Sequence, residues 1–390
     1  MIIFMLVFLL LYGGLHYYVF MKAKAAFLPG TWPTVFLAAF ILIMVMAPLI
    51  VRTSERYGLE FLARCAAYVG YMWMGIVLLF FTFSIIVDLY RLLIYGSGLL
   101  LHRNLSLFTP SARLSFVIPV LIALAAATYG FFEAENVRAE RVVVKTAKLP
   151  REIGRLRVVQ ISDVHLGLII RERRLMKVLE VVKRENPDIL ISTGDLVDEQ
   201  IDNLEPCAEL LRATTARYGK FAITGNHEFF AGIDYSLRFI EDGGFTMLRG
   251  EGTTVAGLIN IAGVDDPTGK RLGVMKEVSE KWLLSRLPRE KFTLLLKHQP
   301  RWDTGALGLF DLQLSGHTHK GQLFPFNFVT HLIYNVDSGF AKLPNRSALY
   351  VSRGSGTWGP PIRLLSPPEV TVIDLVHEEP DSGLPGALPR

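Results

Sequence analysis

The chain has 390 residues, 51 % of them hydrophobic, and its mean hydropathy of +0.35 is too apolar for an ordinary soluble protein, while 20 % charged residues is too many for a pure bundle of membrane helices. Eight of the 41 Lys and Arg, but only four of the 36 Asp and Glu, fall in residues 1–134, so most of the +5 net charge belongs to the apolar half and the pI near 9.1 gives no ground for a nucleic-acid partner. The two cysteines, Cys65 and Cys207, supply neither a disulfide framework nor a thiolate metal site.

Four apolar runs, at 1–20, 32–51, 66–90 and 114–132, each approach the roughly 20 residues that a bilayer-crossing helix needs. They come consecutively and almost free of charge, which favours membrane spans over buried core helices. The first starts at Met1 without a basic segment or a small-residue cleavage site and reads as a retained span. Four spans put the amino terminus and the C-terminal half on one side, with Arg52, Arg56, Arg64, Arg138, Arg141, Lys145 and Lys148. Lys22, Lys24, Arg91, Arg103 and Arg113 lie on the other. The excess of cations on the first side predicts a cytoplasmic C-terminal domain. Asp88, near the end of the third run, is expected at the wetted interface.

After a linker at 135–150, short β-rich runs appear at 157–161, 188–192, 221–224, 260–264, 292–297, 312–315, 349–352 and 370–375. Between the first two, residues 171–184 repeat apolar side chains (Leu175, Val178, Leu179, Val182) at helical spacing. Strand–helix–strand order predicts an α/β fold with a largely parallel sheet. The closer spacing of the later strands predicts a second, more antiparallel sheet. The expected division is a membrane domain at 1–134, a catalytic domain at 151–377 and a flexible tail at 378–390, rich in Pro and Gly.

The chemistry lies at the strand ends. Asp163 and His165 follow the first strand, Asp195 the second, Asn226 and His227 the third; His298 ends the strand at 292–297, and His317 and His319 follow 312–315. Ligands of open α/β sheets bind beyond the carboxyl ends of strands, so these five loops can share one crevice. Carboxylate, imidazole and amide oxygen without thiolate suit Mn²⁺, Fe²⁺, Zn²⁺ or Mg²⁺. A lone Asp-x-His is weak evidence and a single His after a strand is usually a satisfied loop residue, but five such groups are not so explained. Seven donors exceed what one ion with open positions takes, and they fit two ions sharing a carboxylate. Glycines 194, 225 and 316 let the backbone approach closely.

The series Asp163-x-His165, Gly194-Asp195, Gly225-Asn226-His227-Glu228, His298 and Gly316-His317-Thr318-His319 resembles the calcineurin-like metallophosphoesterase superfamily, with its motifs in order over about residues 150–377. Residues 349–354 and 367–370 resemble the bacterial membrane-associated branch of YaeI-type and YkuE-type phosphodiesterases. The resemblance implies a four-layer α/β/β/α sandwich behind about four transmembrane helices. It also implies a dinuclear centre: Asp163, His165 and His319 on one ion, Asn226, His298 and His317 on the other, and Asp195 between them. Mn²⁺ is the favoured metal. His227 matches the histidine that contacts phosphate and protonates the leaving oxygen or stabilises charge; its other reading is support for Asn226. Glu228 and Asp198 read as support for the ligands or as solvated groups. Lys320 stands where this branch more often has Gly, and Lys320 and Arg353 are candidate phosphate contacts or solvated side chains.

The expectation is an enzyme in the bacterial inner membrane that hydrolyses a phosphodiester or pyrophosphate. Its substrate would be lipid-linked, such as the lipid A precursor UDP-2,3-diacylglucosamine, because fewer than about 20 residues separate the last span from the catalytic domain. The competing readings are a four-span transporter or sensor with a binding-only domain, and a protein phosphatase.

Overall fold

The computed structural model describes residues 2–27, 30–199 and 203–379. Most of the expected tail lies outside the described residues. The chain forms two compact units.

The first comprises residues 1–134 with two later segments, 323–325 and 359–365. It contains helices α1 (Ile2–Phe27), α2 (Thr31–Arg56), α3 (Glu60–Leu101) and α4 (Ala112–Glu135), one for each apolar run. Among the described residues, α2, α3 and the stretch Ser106–Ala134 are long and apolar enough to cross a membrane. Large apolar side chains such as Phe36, Leu62, Leu93 and Leu121 face outward, as a lipid solvent permits. Small residues allow close packing inside: a Cβ on Gly70 would stand 2.7 Å from Ala47 Cβ. Asp88, expected to be wetted, also pairs with Lys22 and accepts the Tyr18 hydroxyl at 2.6 Å.

The second unit comprises residues 135–322, 326–358 and 366 onward. Its strands are β1 (Arg138–Thr146), β2 (Arg155–Ile161), β3 (Ile189–Ser192), β4 (Lys220–Ala222), β5 (Thr246–Met247), β6 (Glu251–Val255), β7 (Ile259–Gly263), β8 (Phe292–Leu296), β9 (Leu312–Ser315), β10 (Gly339–Lys342), β11 (Ala348–Val351) and β12 (Glu369–His377). One sheet has the order β1-β12-β2-β3-β4-β5 and the other β10-β11-β9-β8-β7-β6. The expected linker at 135–150 is instead largely β1, paired in parallel with β12. The second sheet is the more antiparallel of the two: its edge strands β6 and β10 are antiparallel to their neighbours while β7, β8, β9 and β11 run parallel, whereas in the first sheet only β12 and β2 pair antiparallel.

Alternation along the strands builds the layers. Val158, Ile189, Ile191 and Ile373 of the first sheet meet Ile261, Leu294, Leu312 and Leu314 of the second in a core between the sheets. On the first sheet's other face, Val159, Ile161, Leu190 and Val372 cover the apolar stripe of α5 (Glu172–Glu185), where Leu175, Val178, Leu179 and Val182 recur as anticipated. The second sheet's outer face packs Ala262 and Leu295 on Leu283 and Leu284 of the helix Glu280–Ser285. The result is the four-layer α/β/β/α sandwich. Leu314 is fully buried in the strand that leads into the His317 loop. Leu314→Ala is expected to cost about 2–5 kcal/mol, read as a lowered thermal unfolding midpoint.

Candidate metal centre

Strands β2, β3 and β4 are parallel neighbours in one sheet, and β8 and β9 in the other, so their carboxyl ends open at a common edge. The loops there are tied to one another through the backbone. Asp163 N donates to Gly194 O at 3.0 Å, His165 N to Asp195 O at 3.0 Å, and Gly316 N to His298 O at 2.9 Å. Little room is left: a Cβ on Gly225 would sit 2.2 Å from Asp195 Oδ1, and one on Gly316 2.0 Å from Ser162 Oγ. Five of the seven expected ligands have left-handed backbone, with φ of +52° at Asp163, +55° at His165, +49° at Asp195, +72° at His317 and +48° at His319. Such residues cost about 1–3 kcal/mol each and persist only where their surroundings fix them, as at functional sites.

The donor atoms converge as two groups. His165 Nε2 and His319 Nε2 lie 3.1 Å apart, with Asp163 Oδ1 3.5 Å from the latter. On the other side His298 Nε2 lies 3.2 Å from His317 Nδ1. Between them stands Asp195, whose Oδ2 is 3.1 Å from His298 Nε2 and 3.9 Å from His165 Nε2. Asn226 Oδ1 is buried without a hydrogen-bond partner among the described residues. Ring nitrogens at such separations, a carboxylate between them and an orphaned amide oxygen are what a pair of cations would satisfy. The sets Asp163, His165, His319 and Asp195, His298, His317 each bring their ligand atoms within 4.8 Å of one another.

Ligand orientation is set by neighbours. His298 Nδ1 lies 2.8 Å from Thr193 O, a carbonyl that can only accept, so Nδ1 carries the proton and Nε2 is the free donor. Asp163 accepts His317 N at 2.9 Å and the Ser162 hydroxyl. Glu228, expected as support or as a solvated group, is fully buried and accepts four backbone N–H groups: Asp195 at 3.0 Å, Leu196 at 2.8 Å, Val197 at 3.3 Å and Gly225 at 2.6 Å. It thereby ties the Asp195 loop to the Asn226 loop.

His227 stands beside these groups, its ring 4.6 Å from that of His165 and its backbone N–H donating to Asp195 Oδ1 at 2.8 Å. Its Nδ1 is 2.9 Å from Asp198 Oδ1 but out of line for a hydrogen bond, so the contact is electrostatic. Burial disfavours its charged form, yet Asp195 and Asp198 more than offset that and push its pKa up to about 9. Burial likewise opposes the charge on Asp195, but the imidazoles of His298, His227 and His165 hold its pKa well below the carboxylate range. Burial dominates at Asp163 and raises its pKa. Phe230 and Trp358 flank the His227 ring at 5.6 and 5.9 Å, giving the site an apolar rim.

One expectation changes. Arg353 does not stand ready for phosphate: its guanidinium pairs with Glu140 at 2.7 Å and with Glu369 at 2.5 Å. Lys320 follows His319 in the ligand loop with φ +49°, and its ammonium has no ion-pair partner among the described residues. Sequence reasoning passed over Asp265 and Asp266 just beyond β7, both buried. Asp265 accepts Thr224 Oγ1 at 3.0 Å and is clamped by Arg249 at 2.8 Å; Asp266 accepts Gln299 Nε2 at 2.9 Å. The signal was present, since acids at a strand's carboxyl end were the pattern that revealed the other loops.

The sequence pattern of the family described as Calcineurin-like phosphoesterase matches residues 156–321, which hold all seven donors. An uncharacterized metallophosphoesterase of Aquifex aeolicus is 41 % identical over 257 residues, 66 % of this chain and 98 % of its own. The chain belongs to the metallophosphoesterase family. A transmembrane protein with metallophosphoesterase domain from Danio rerio is 32 % identical over 311 residues, 74 % of this chain and 71 % of its own. The metallophosphoesterase YkuE of Bacillus subtilis is 30 % identical over 259 residues, 63 % of this chain and 87 % of its own. This metallophosphoesterase is thus a hydrolase of a divalent-metal-binding family, and its apolar helices and transmembrane relatives point to a membrane association.

Proposed function

We propose that this metallophosphoesterase is a membrane-anchored phosphodiesterase or pyrophosphatase with a dinuclear centre, acting on a lipid-linked phosphate in the bilayer that holds it. The observation that carries the reading is the place of Asp195 Oδ2, within 3.1 Å of one histidine set and 3.9 Å of the other. Two divalent cations, with Mn²⁺ favoured, would supply Lewis acidity and an activated water for in-line attack on phosphorus. Asp163, His165 and His319 would hold one, Asn226, His298 and His317 the other, and Asp195 both. His227 then has the proton chemistry: buried 2.9 Å from Asp198, whose charge favours the protonated ring, it would protonate the leaving oxygen or stabilise its charge. A glycolipid pyrophosphate such as UDP-2,3-diacylglucosamine fits the short connection of the fold to the apolar helices, with the inner membrane as location and the catalytic unit cytoplasmic.

The test uses the full chain in lipid nanodiscs, stripped with chelator and restored with Mn²⁺. Hydrolysis of a chromogenic diester is expected to vanish on stripping and return with metal. Asn226→Ala is expected to lower kcat/KM about a hundredfold or more; unchanged turnover in that variant sinks the mechanism. Asp198→Asn removes a charge that keeps His227 protonated, so the alkaline limb of the pH profile of kcat/KM should move to lower pH. A limb that stays in place or moves upward would take the proton-donor role from His227. Turnover of UDP-diacylglucosamine in mixed micelles decides the substrate.

A further inference from the structure

The helix Phe326–Ile333, five residues beyond Gly321, turns its burial inside out. A helix on a water-facing surface buries its apolar stripe and exposes its polar one. Here Asn327 and Thr330 face inward and are half-buried, while Phe326, Val329, Leu332 and Ile333 are 47, 43, 84 and 58 % exposed. No residue of the helix is fully buried, and none carries a fixed charge. At 100° per residue the apolar positions share one half of the helix, so this is a face and not scattered surface hydrophobes.

Two further observations say what covers that face. The peptide bond before Phe326 joins the helix to segment 323–325, which packs with the apolar helices of the first unit, Leu323 being buried with Val77, Phe80 and Ala127. The helix is therefore one residue from a segment held among candidate membrane spans. It is also clamped to the ligand loop: Gly321 (φ +75°) passes so close that a Cβ there would lie 2.3 Å from Asn327 N. Tyr334, at its end, sets its ring 5.9 Å from that of His317.

We infer that the helix Phe326–Ile333 lies in the membrane interface with its apolar face among lipid acyl chains, and so fixes the height of the His317–His319 loop above the headgroups. The occupant is the bilayer itself. Its acyl chains match the uncharged face, and they continue the apolar surroundings that the neighbouring segment implies. The inference goes beyond the catalytic reading and does not need it: a site that hydrolysed nothing would still be seated this way.

The experiment uses the full chain in nanodiscs, with Cys65→Ser to remove the exposed thiol and buried Cys207 left in place. Single cysteines replace Val329, Leu332 or Ile333, with Glu180→Cys on the outer face of α5 as the water-exposed control, and each carries an environment-sensitive fluorophore. An interfacial helix sinks its face about 5–10 Å into the headgroup–acyl boundary, so labels at 329, 332 and 333 should emit to the blue and lose about half or more of their intensity to lipids with a nitroxide high on the acyl chain. The label at 180 should do neither. Water-like emission at 332 and 333, quenched by iodide and not by nitroxide lipid, overturns the inference. So does blue emission that nitroxide lipid leaves untouched but that shows energy transfer between copies, which would make a second chain the occupant. No step reads activity, so failure here is distinct from failure of the phosphoesterase reading.

Discussion

Asp195→Ala is expected to give a folded chain that binds fewer than two metal ions and hydrolyses a diester at least about a hundredfold more slowly, the scale on which lost ligand support acts. The loss should exceed that of any other single ligand. Asp163 or His317 serves one group, whereas Asp195 Oδ2 faces both and Oδ1 also receives the backbone N–H of His227. Removing it at once takes away the anion that faces both groups, lets the two histidine sets repel when protonated, and frees the segment carrying His227. Asp195→Asn keeps the volume and the acceptor for His227 but not the charge, so it separates geometry from electrostatics. Elemental analysis of the purified variant beside its kcat/KM decides the matter: two bound ions with near-normal turnover in Asp195→Ala would remove the bridging role.

Glu228→Ala should be the most destabilising change near the site. Its carboxylate is the acceptor for four buried N–H groups drawn from two loops. A buried donor left unpaired costs about 1–3 kcal/mol, and relief of the buried carboxylate's own desolvation returns part of the sum, so a net loss of about 3 kcal/mol or more is expected. Glu228→Gln keeps one carbonyl acceptor and should lose about half as much. Chemical unfolding of the metal-free chain measures this directly. If the alanine variant unfolds where the parent does, the carboxylate is not the tie between the Asp195 and Asn226 loops.

The candidate ligands are legible in the sequence for a physical reason. A parallel strand buried on both faces is a short apolar run, and the chain beyond it must turn at the sheet edge; polar, metal-type side chains there stand out against the run. Asp163, Asp195, His298 and His317 are visible that way. The strand β1 is not, because it is an edge strand whose Arg138, Glu140, Arg141 and Lys145 face solvent and dilute the alternation. The second sheet reads as the more antiparallel one, as it is, but the parallel run at its centre is hidden because its crossovers lack a strong helical period. Yet the connection from β8 to β9 runs from Leu296 to Leu312, long enough for a parallel return. Arg353 looks available in the sequence since its partners, Glu140 and Glu369, come together only through the β1–β12 pairing. Asp265 and Asp266 carry the same signal as Asp195, acids just beyond a strand's carboxyl end, and are overlooked.

The path of the chain through its two units has a bearing on how the protein is made. The helical unit is not finished when α4 leaves the ribosome, for it still lacks residues 323–325 and 359–365. Gly130 of α4 is shaped for the second of these: a Cβ there would lie 2.3 Å from Ile362 Cγ2, and Arg363 N donates to Gly130 O at 2.9 Å. The bundle's seams around Leu323 and Ile362 thus stay open until the ribosome has passed residues 323 and 362, long after α4 is complete. A protease cut at residue 135 would leave residues 1–134 on a different fragment from the two segments, 323–325 and 359–365, that complete their unit.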